Sequence, residues 1–474
     1  MPLPSSPKDL LENVTYDELT PGRAASLSAT LAKKDIELFA AASGDLNPAH
    51  LDEDYARTDL FHGIVGHGMW LGAQISRVLG MVLPGPGTIY LEQDIKFKKP
   101  VRVGDKVTVK VSVREKPPSP KPVVIFDCLG VNQSGETVME GKAVVLAPVE
   151  RVRRPTPDMP DVEIQAHDRY RAIMQACRGK SAIKTAVVHP AEAHVLQAVA
   201  DAIADNLIAP VLIGPRAPIE AAAKESGVDI SKWELIDTPD SAAAAAKGAE
   251  LAATGKVESI MKGSLHTEEL LSAIVPSSVG LRTERRLSHV YVMDVPSYPK
   301  PLIVTDAVVN IAPDLTAKAD ICRNAIDFFH ALAHENRPPK LAILAAVEVI
   351  NPKMQATLDA AALCKMADRG EIAGGIIDGP LAFDNAISKE AAAEKGIVSQ
   401  VAGDADILVV PEIESGNILA KQLTFLAHAD AAGIVLGARV PIILTSRADN
   451  LRTRLLSCAM AVLLAAARRE GRLK

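Results

Sequence analysis

The chain has 474 residues, 48% of them hydrophobic and 23% charged, with 52 basic and 58 acidic side chains and a net charge of −6. That balance excludes a disordered or fibrous chain, and at about 100–200 residues per domain the length gives two to four domains. Aromatics are only 3%, which with the acidic balance removes the stacking surface and the basic footprint of a nucleic-acid binder, but leaves room for a local anion pocket.

The opening MPLPSSPKDLLENV carries prolines and acids where a secretory signal needs a basic patch and an apolar run. Cys128, Cys177, Cys322, Cys364 and Cys458 form no CxxC pair, so they read as free thiols in a reducing compartment. The expectation is a cytoplasmic, soluble protein with no membrane segment.

Leu31 to Ser43 (LAKKDIELFAAAS) has apolar residues at helical spacing. It runs into Phe39 to Ala56, FAAASGDLNPAHLDEDYA, where Asp45 and His50 flank Asn47-Pro48. Proline disfavours helical geometry in the residue before it, so the segment should turn and bring Asp45 and His50 to one side of a loop. A carboxylate and a neutral imidazole around one water can share its protons, the minimum equipment for adding water across a double bond. The same residues also fit an Asx-turn at Asp45 with His50 as an ordinary packed residue. Next comes Phe61 to Met69, FHGIVGHGM. Glycines before a helix expose backbone amides that could stabilise developing negative charge, or serve tight turns.

Trp70 to Val82 is a nearly charge-free helix candidate of the kind buried against a sheet. The runs Thr88 to Phe97, Lys106 to Arg114, Val123 to Val131 and Thr137 to Val145 are rich in β-branched residues and closely spaced. They predict an antiparallel sheet wrapped on that helix, an α+β domain. Ala147 to Ala166 holds four prolines and no hydrophobic period, so it reads as a linker. The expected division is a domain over 1–147, a linker over 148–166 and a second domain over 167–474.

Beyond the linker, short apolar runs alternate with Ala-rich helical stretches, from TAVVHP to PIILTS and a last apolar helix over Leu455 to Ala467. That last run is too short to span a bilayer and reads as a buried helix. The alternation predicts a doubly wound parallel sheet, with ligands beyond the carboxyl ends of its strands. Four segments carry chemistry there. SIMKGSLHTEE places Lys262, Ser264, His266 and Thr267 after a strand, where they could cradle a phosphate. GxxxxGK[ST] and GxGxxG are both absent. GLRTERR offers Arg282, Arg285 and Arg286 for forked bonds to phosphate, or forms a solvated turn. DAVVNIAPDL contains Asn310, with Asp306 as a candidate cap. TSRADNLRTR sets Ser446 and Arg447 between a strand and the last helix, where an anion or a simple N-cap would fit.

Residues 12–147 resemble the MaoC-type (R)-specific enoyl-CoA hydratases of the hot-dog fold, through SGDLNPAHLDEDYA and GHGM. The resemblance implies that Asp45 and His50 activate water for addition to a trans-2-enoyl-CoA. It also implies that the Gly68 amide, or one beside it, polarises the thioester carbonyl, with Asn47 supporting. From about residue 168 onward the chain resembles the phosphate acetyltransferase and phosphate butyryltransferase family. The resemblance rests on MKGSLHT, GLRT, NIAPDL, AAVEVINPKM, DGPLAFDNA, VAGDADILVVPEIESGN and LTSRAD, and is closer to the butyryl branch. It implies a two-lobed α/β domain that moves an acyl group between CoA and inorganic phosphate. Ser446 and Arg447 would touch the acyl phosphate, Ser264 and Thr267 would help to bind it, and Asn417 would lie near. Three positions depart from the family's pattern: Ser272 stands where an arginine is common, and Thr453 and Ala448 differ from the acetyl branch. Arg282 could replace the missing guanidinium.

The reading is a fused, multidomain enzyme of acyl-CoA metabolism. Its substrates would be CoA thioesters, CoA and phosphate, with no metal and no other cofactor. Both resemblances imply a homo-oligomer, a dimer or a larger even assembly. The alternatives are that one domain only assembles the oligomer, or only senses acyl-CoA.

Overall fold

Val107, Val109, Val111 and Val113 alternate with polar residues through KVTVKVSVRE, and all four are buried, so this strand turns one face to a core. It belongs to a computed structural model of the chain that describes residues 10–158, 162, 168–332, 337–444 and 450–473. The chain folds as two compact units, Met1–Ile164 and Gln165–Lys474.

The first unit runs β1 (Leu10–Glu12), β2 (Ala24–Thr30), α1 (Lys33–Ser43), α2 (Pro48–Leu51), α3 (Glu53–Thr58), α4 (Gly68–Met81), β3 (Ile89–Phe97), β4 (Lys106–Glu115), β5 (Val123–Val131), β6 (Thr137–Leu146) and β7 (Arg153–Pro155). Five strands form an antiparallel sheet in the order β2-β4-β5-β6-β3, and β1 pairs with β7. Trp70, Leu71, Ile75, Val78 and Leu79 of α4 join the valines of β4 and Phe126 of β5 in one core. This is the hot-dog arrangement, a sheet wrapped around one buried helix. Strand β2 lies outside the expected elements, because AASLSAT has little β-branched content to announce it.

The second unit contains α5 (Asp168–Ala176), β8 (Ile183–Val188), α6 (Ala193–Ala204), β9 (Ile208–Gly214), α7 (Arg216–Ser226), β10 (Glu234–Asp237), α8 (Ser241–Ala253), β11 (Ser259–Lys262), α9 (Thr267–Ile274), β12 (Ser288–Asp294), β13 (Leu302–Thr305) and α10 (Leu315–Leu332). It continues with β14 (Lys340–Leu344), α11 (Gln355–Asp368), β15 (Ile376–Leu381), α12 (Phe383–Ile387), α13 (Lys389–Glu394), β16 (Ile407–Val409), α14 (Ile413–Phe425), β17 (Asp430–Leu436), β18 (Ile442–Ile443) and α15 (Leu451–Arg469).

One 11-stranded sheet takes the order β10-β9-β8-β11-β18-β17-β12-β13-β16-β14-β15. Its two wings are parallel, as the strand–helix alternation implied. The centre corrects the all-parallel expectation: β12 is antiparallel to β13 and β17, and β17 is antiparallel to β18. The links between β12 and β13 and between β17 and β18 are too short for a crossover helix, so those neighbours must run in opposite directions. Helix α15 is buried from Leu455 to Ala467 and packs in one core with residues of β8, β9, β14 and β16. Ser457 within it is satisfied, donating to Thr453 O at 2.9 Å and accepting from Gly433 N at 3.2 Å. Among the described residues no helix is long and apolar enough to cross a membrane.

Candidate active sites

In the first unit α1 ends at Gly44, whose φ of 75° turns the chain sharply. Asn47 then caps α2, its Oδ1 accepting from Ala49 N at 3.1 Å, with Pro48 at the first helical position. Asp45 Oδ1 accepts from Asn47 N at 3.2 Å, so the Asx-turn is real. It coexists with a second relationship: donor atoms of Asp45, His50 and His67 lie within 4.8 Å of one another. The structure therefore brings Asp45 and His50 together. His50 Nδ1 is 2.8 Å from Val65 O. A carbonyl can only accept, so Nδ1 carries a proton, and in the neutral ring Nε2 is the bare lone pair.

Gly68 is the first residue of α4, and its amide and that of Met69 precede the helix's internal bonding. A Cβ on Gly68 would lie 3.0 Å from the Phe97 ring, so glycine permits the close packing of β3 here. Sequence reasoning missed His67. It is 3% exposed, its Nε2 is 3.1 Å from Asp45 O, and its ring stacks on His50 with centroids 3.9 Å apart. Its place directly before Gly68 was the available signal.

The second unit has a cleft of about 1360 Å³ that gathers Thr267, Arg282 and Asn310 from the predicted residues, together with Ser272, Arg286 and Ile413. Asn310 is 7% exposed and stands at the middle of a relay. Its Nδ2 donates to Asp306 Oδ2 at 2.6 Å and to Leu287 O at 2.8 Å, while its Oδ1 accepts from Arg286 Nε at 2.8 Å. Asp306 is 2% exposed and also accepts from the amides of Val308, Val309 and Asn310 at 3.0, 3.0 and 3.1 Å. Burial pushes its carboxyl above the ordinary range, against the pull of those donors. The relay leaves the terminal guanidinium nitrogens of Arg286 without a partner among the described residues. Arg285 is instead paired with Asp327.

The other predicted residues are more dispersed. Lys262 ends β11 and donates to Leu265 O at 3.0 Å within its own loop. Ser264 donates its amide to His189 O at 2.8 Å, and its Oγ is buried without a partner. His266 is the exposed N-cap of α9, and Thr267 is that helix's first residue. Asn417 lies on α14, donates to Ala307 O at 3.3 Å, and is not among the residues lining the cleft. Ser446 and Arg447 lie outside the described residues.

Two family models match the chain: "phosphate acetyl/butaryl transferase" over residues 240–462 and "MaoC like domain" over residues 18–124. A phosphate acetyltransferase of Rhizobium meliloti is 54% identical over 303 residues, covering 64% of this chain and 95% of that protein. The solved branched-chain phosphotransacylase of Enterococcus faecalis V583 is 31% identical with a TM-score of 0.53, covering 60% of this chain and 99% of that one. The R-hydratase PhaJ1 of Pseudomonas aeruginosa is 42% identical over 33% of this chain and 99% of its own, with a TM-score of 0.32.

Proposed function

Because the chain belongs to the phosphate acetyl/butyryl transferase family through its second unit and carries a MaoC-like domain in its first, we propose a bifunctional enzyme of acyl-CoA chemistry. The first unit hydrates a trans-2-enoyl-CoA to the (R)-3-hydroxyacyl-CoA. The convergence of Asp45 and His50 beside the start of α4 carries this reading. His50 Nε2 takes one proton from water as the water oxygen bonds to C3, and Asp45 accepts a hydrogen bond from the other hydrogen, which stays on the oxygen as the new hydroxyl. The Gly68 amide receives the charge that gathers on the thioester oxygen, with Asn47 holding the turn. The proton on His50 then passes to C2, so the elements of water are added across the double bond. Loss of crotonyl-CoA absorbance with wild type, but not with Asp45→Asn or His50→Ala, is the expected result. Equal rates in all three would refute it.

The second unit exchanges an acyl group between CoA and inorganic phosphate. The CoA thiol attacks the acyl phosphate carbonyl, the C–S bond forms, the C–O bond to phosphate breaks, and the thiol proton ends on the released phosphate. In reverse, phosphate attacks acyl-CoA. Positioning of two anionic reactants and charge stabilisation supply the catalysis, with no metal and no further cofactor. Arg282 and Arg286 of the cleft bind the phosphoryl group, Asn310 orienting Arg286, with Lys262, Ser264, His266 and Thr267 at the adjoining strand end. Ser446 and Arg447 touch the acyl phosphate and Asn417 supports the site. The guanidinium of Arg286 in the cleft that Ser272 also lines favours transfer over acyl-CoA sensing alone. Phosphate-dependent thiol release from acyl-CoA should be lost in Ser446→Ala and Arg447→Ala. Unchanged rates in both would remove the assignment.

The enzyme works in the cytoplasm as a homo-oligomer, a dimer or a larger even assembly, without nucleic-acid or membrane partners. Leu46 and Leu60, 69% and 84% exposed, lie either side of His50 in sequence, and a second copy would cover them. Sedimentation at micromolar concentration should show no monomer.

A further inference from the structure

His67 is more than a packed residue of the first unit. Its Nε2 faces the Asp45 carbonyl, which can only accept, so Nε2 carries the proton and donates. In the neutral ring Nδ1 is then a bare lone pair, and it is buried with no hydrogen-bond partner. The ring lies between Phe39 of α1, 5.0 Å away by centroids, and His50 of α2, 3.9 Å away and tilted by 35°. Its own backbone caps α4, directly before the Gly68 amide.

Packing alone asks for no nitrogen at Nδ1. Burying a polar atom without a partner opposes folding, and a phenyl ring would fill the same slot between two rings without that cost. What phenylalanine cannot do is donate to Asp45 O. We propose that His67 is a positioning residue. Through its Nε2–H it fixes the loop that aims the Asp45 carboxylate, and through its ring it fixes His50. It thereby holds acid, base and the first amide of α4 in one geometry. This inference rests on the hydratase reading of that site.

The test uses the full chain with three variants, His67→Phe, His67→Gln and His67→Ala. His67→Phe keeps the stack and removes both the donor and the unpaired nitrogen. The expected result is a Tm at or above wild type, a kcat for crotonyl-CoA hydration at least tenfold lower, and a KM within twofold. His67→Gln, whose amide nitrogen replaces Nε2 as donor, should recover most of that kcat, and His67→Ala should fall furthest. In parallel, hydrogen–deuterium exchange over residues 44–50 should quicken at least tenfold in His67→Phe and stay near wild type in His67→Gln. A kcat for His67→Phe within twofold of wild type, or a kcat loss matched by a fallen Tm, would overturn the proposal. Wild type that shows no hydration, with the expected exchange pattern, would refute the hydratase reading while leaving the positioning role supported. Unchanged exchange in His67→Phe would refute the role whatever the activity.

Discussion

In the first unit, the candidate side chains and the Gly68 amide all come from the stretch Asp45 to Gly68, with turn, cap and helix start following one another. In the second unit the cleft is walled by residues from Thr267 to Gly437, brought together by the strand order of an 11-stranded sheet. The first kind of site is set by local backbone geometry and by one tertiary stack. The second exists only once the sheet has formed, and its orienting bonds, such as Asn310 to Leu287 O and Arg286 to Asn310, cross between segments. The two sites should therefore fail independently and for different reasons.

The largest expected effect tests that independence. Asp45→Asn or His50→Ala should lower hydration by about 10²–10⁴-fold, the usual weight of general acid–base catalysis, while phosphate-dependent thiol release stays within about twofold of wild type. A parallel fall in both activities, measured on one preparation, would break the comparison. Next, Arg286→Gln should raise the KM for phosphate by about 10–100-fold, since charge-assisted bonds to phosphate are worth about 1.5–3 kcal/mol. Asn310→Ala should move the same constant less, because it removes the bonds that join Arg286 to Asp306 and Leu287 but leaves the guanidinium charge in the cleft.

Gly263→Ala probes the strand end beside the cleft. A Cβ there would lie 2.4 Å from Val188 O and 2.6 Å from His189 O, so two strand ends must separate. Overpacking of this kind costs about 1–3 kcal/mol, and transfer should suffer while hydration does not. Denaturant unfolding and both assays on the variant check this.

The smallest effect is the pH dependence contributed by two carboxyls of the second unit. Burial opposes ionisation of Asp406, yet hydrogen bonds from Arg337, Lys300 and the Lys340 amide outweigh it and hold the carboxyl below the ordinary range. Asp404 is likewise opposed by burial and lowered overall to about 2 by Lys300 and Lys340. Carboxyls depressed in the folded state contribute stability that is full above their unfolded value near ~3.9 and is lost as pH falls through the folded values. Thermal scans should thus show Tm falling between pH 4 and pH 2. Asp406→Asn should flatten part of that slope and lower the neutral-pH Tm by about 2–4 °C.

The first unit was more legible than the second for the same physical reason. Alternating valines in KVTVKVSVRE and the apolar run from Trp70 announce β4 and α4 directly, and Asp45-x-Asn-Pro-x-His50 announces a turn. In the second unit the missing information is topological. Nothing in SHVYVMD says that β12 runs against both its neighbours; the short link to β13 implies one reversal, and the pairing with β17 follows only from the strand order. His67 stayed hidden because its partners, Asp45 O and the His50 ring, are set by the fold rather than by spacing. Arg286 stood out from Arg285 only when the relay to Asp306 became visible, since the two neighbours are alike in sequence and opposite in use.

The burial of α15 bears on how the chain is made. This helix follows every strand of the sheet in sequence, yet it fills the core shared by β8, β9, β14 and β16. On the ribosome the first unit can close as soon as its own strands emerge. The larger sheet must wait, greasy face uncovered, until Leu455 to Ala467 leave the exit tunnel, so that interval is when the nascent polypeptide most needs a chaperone's shelter.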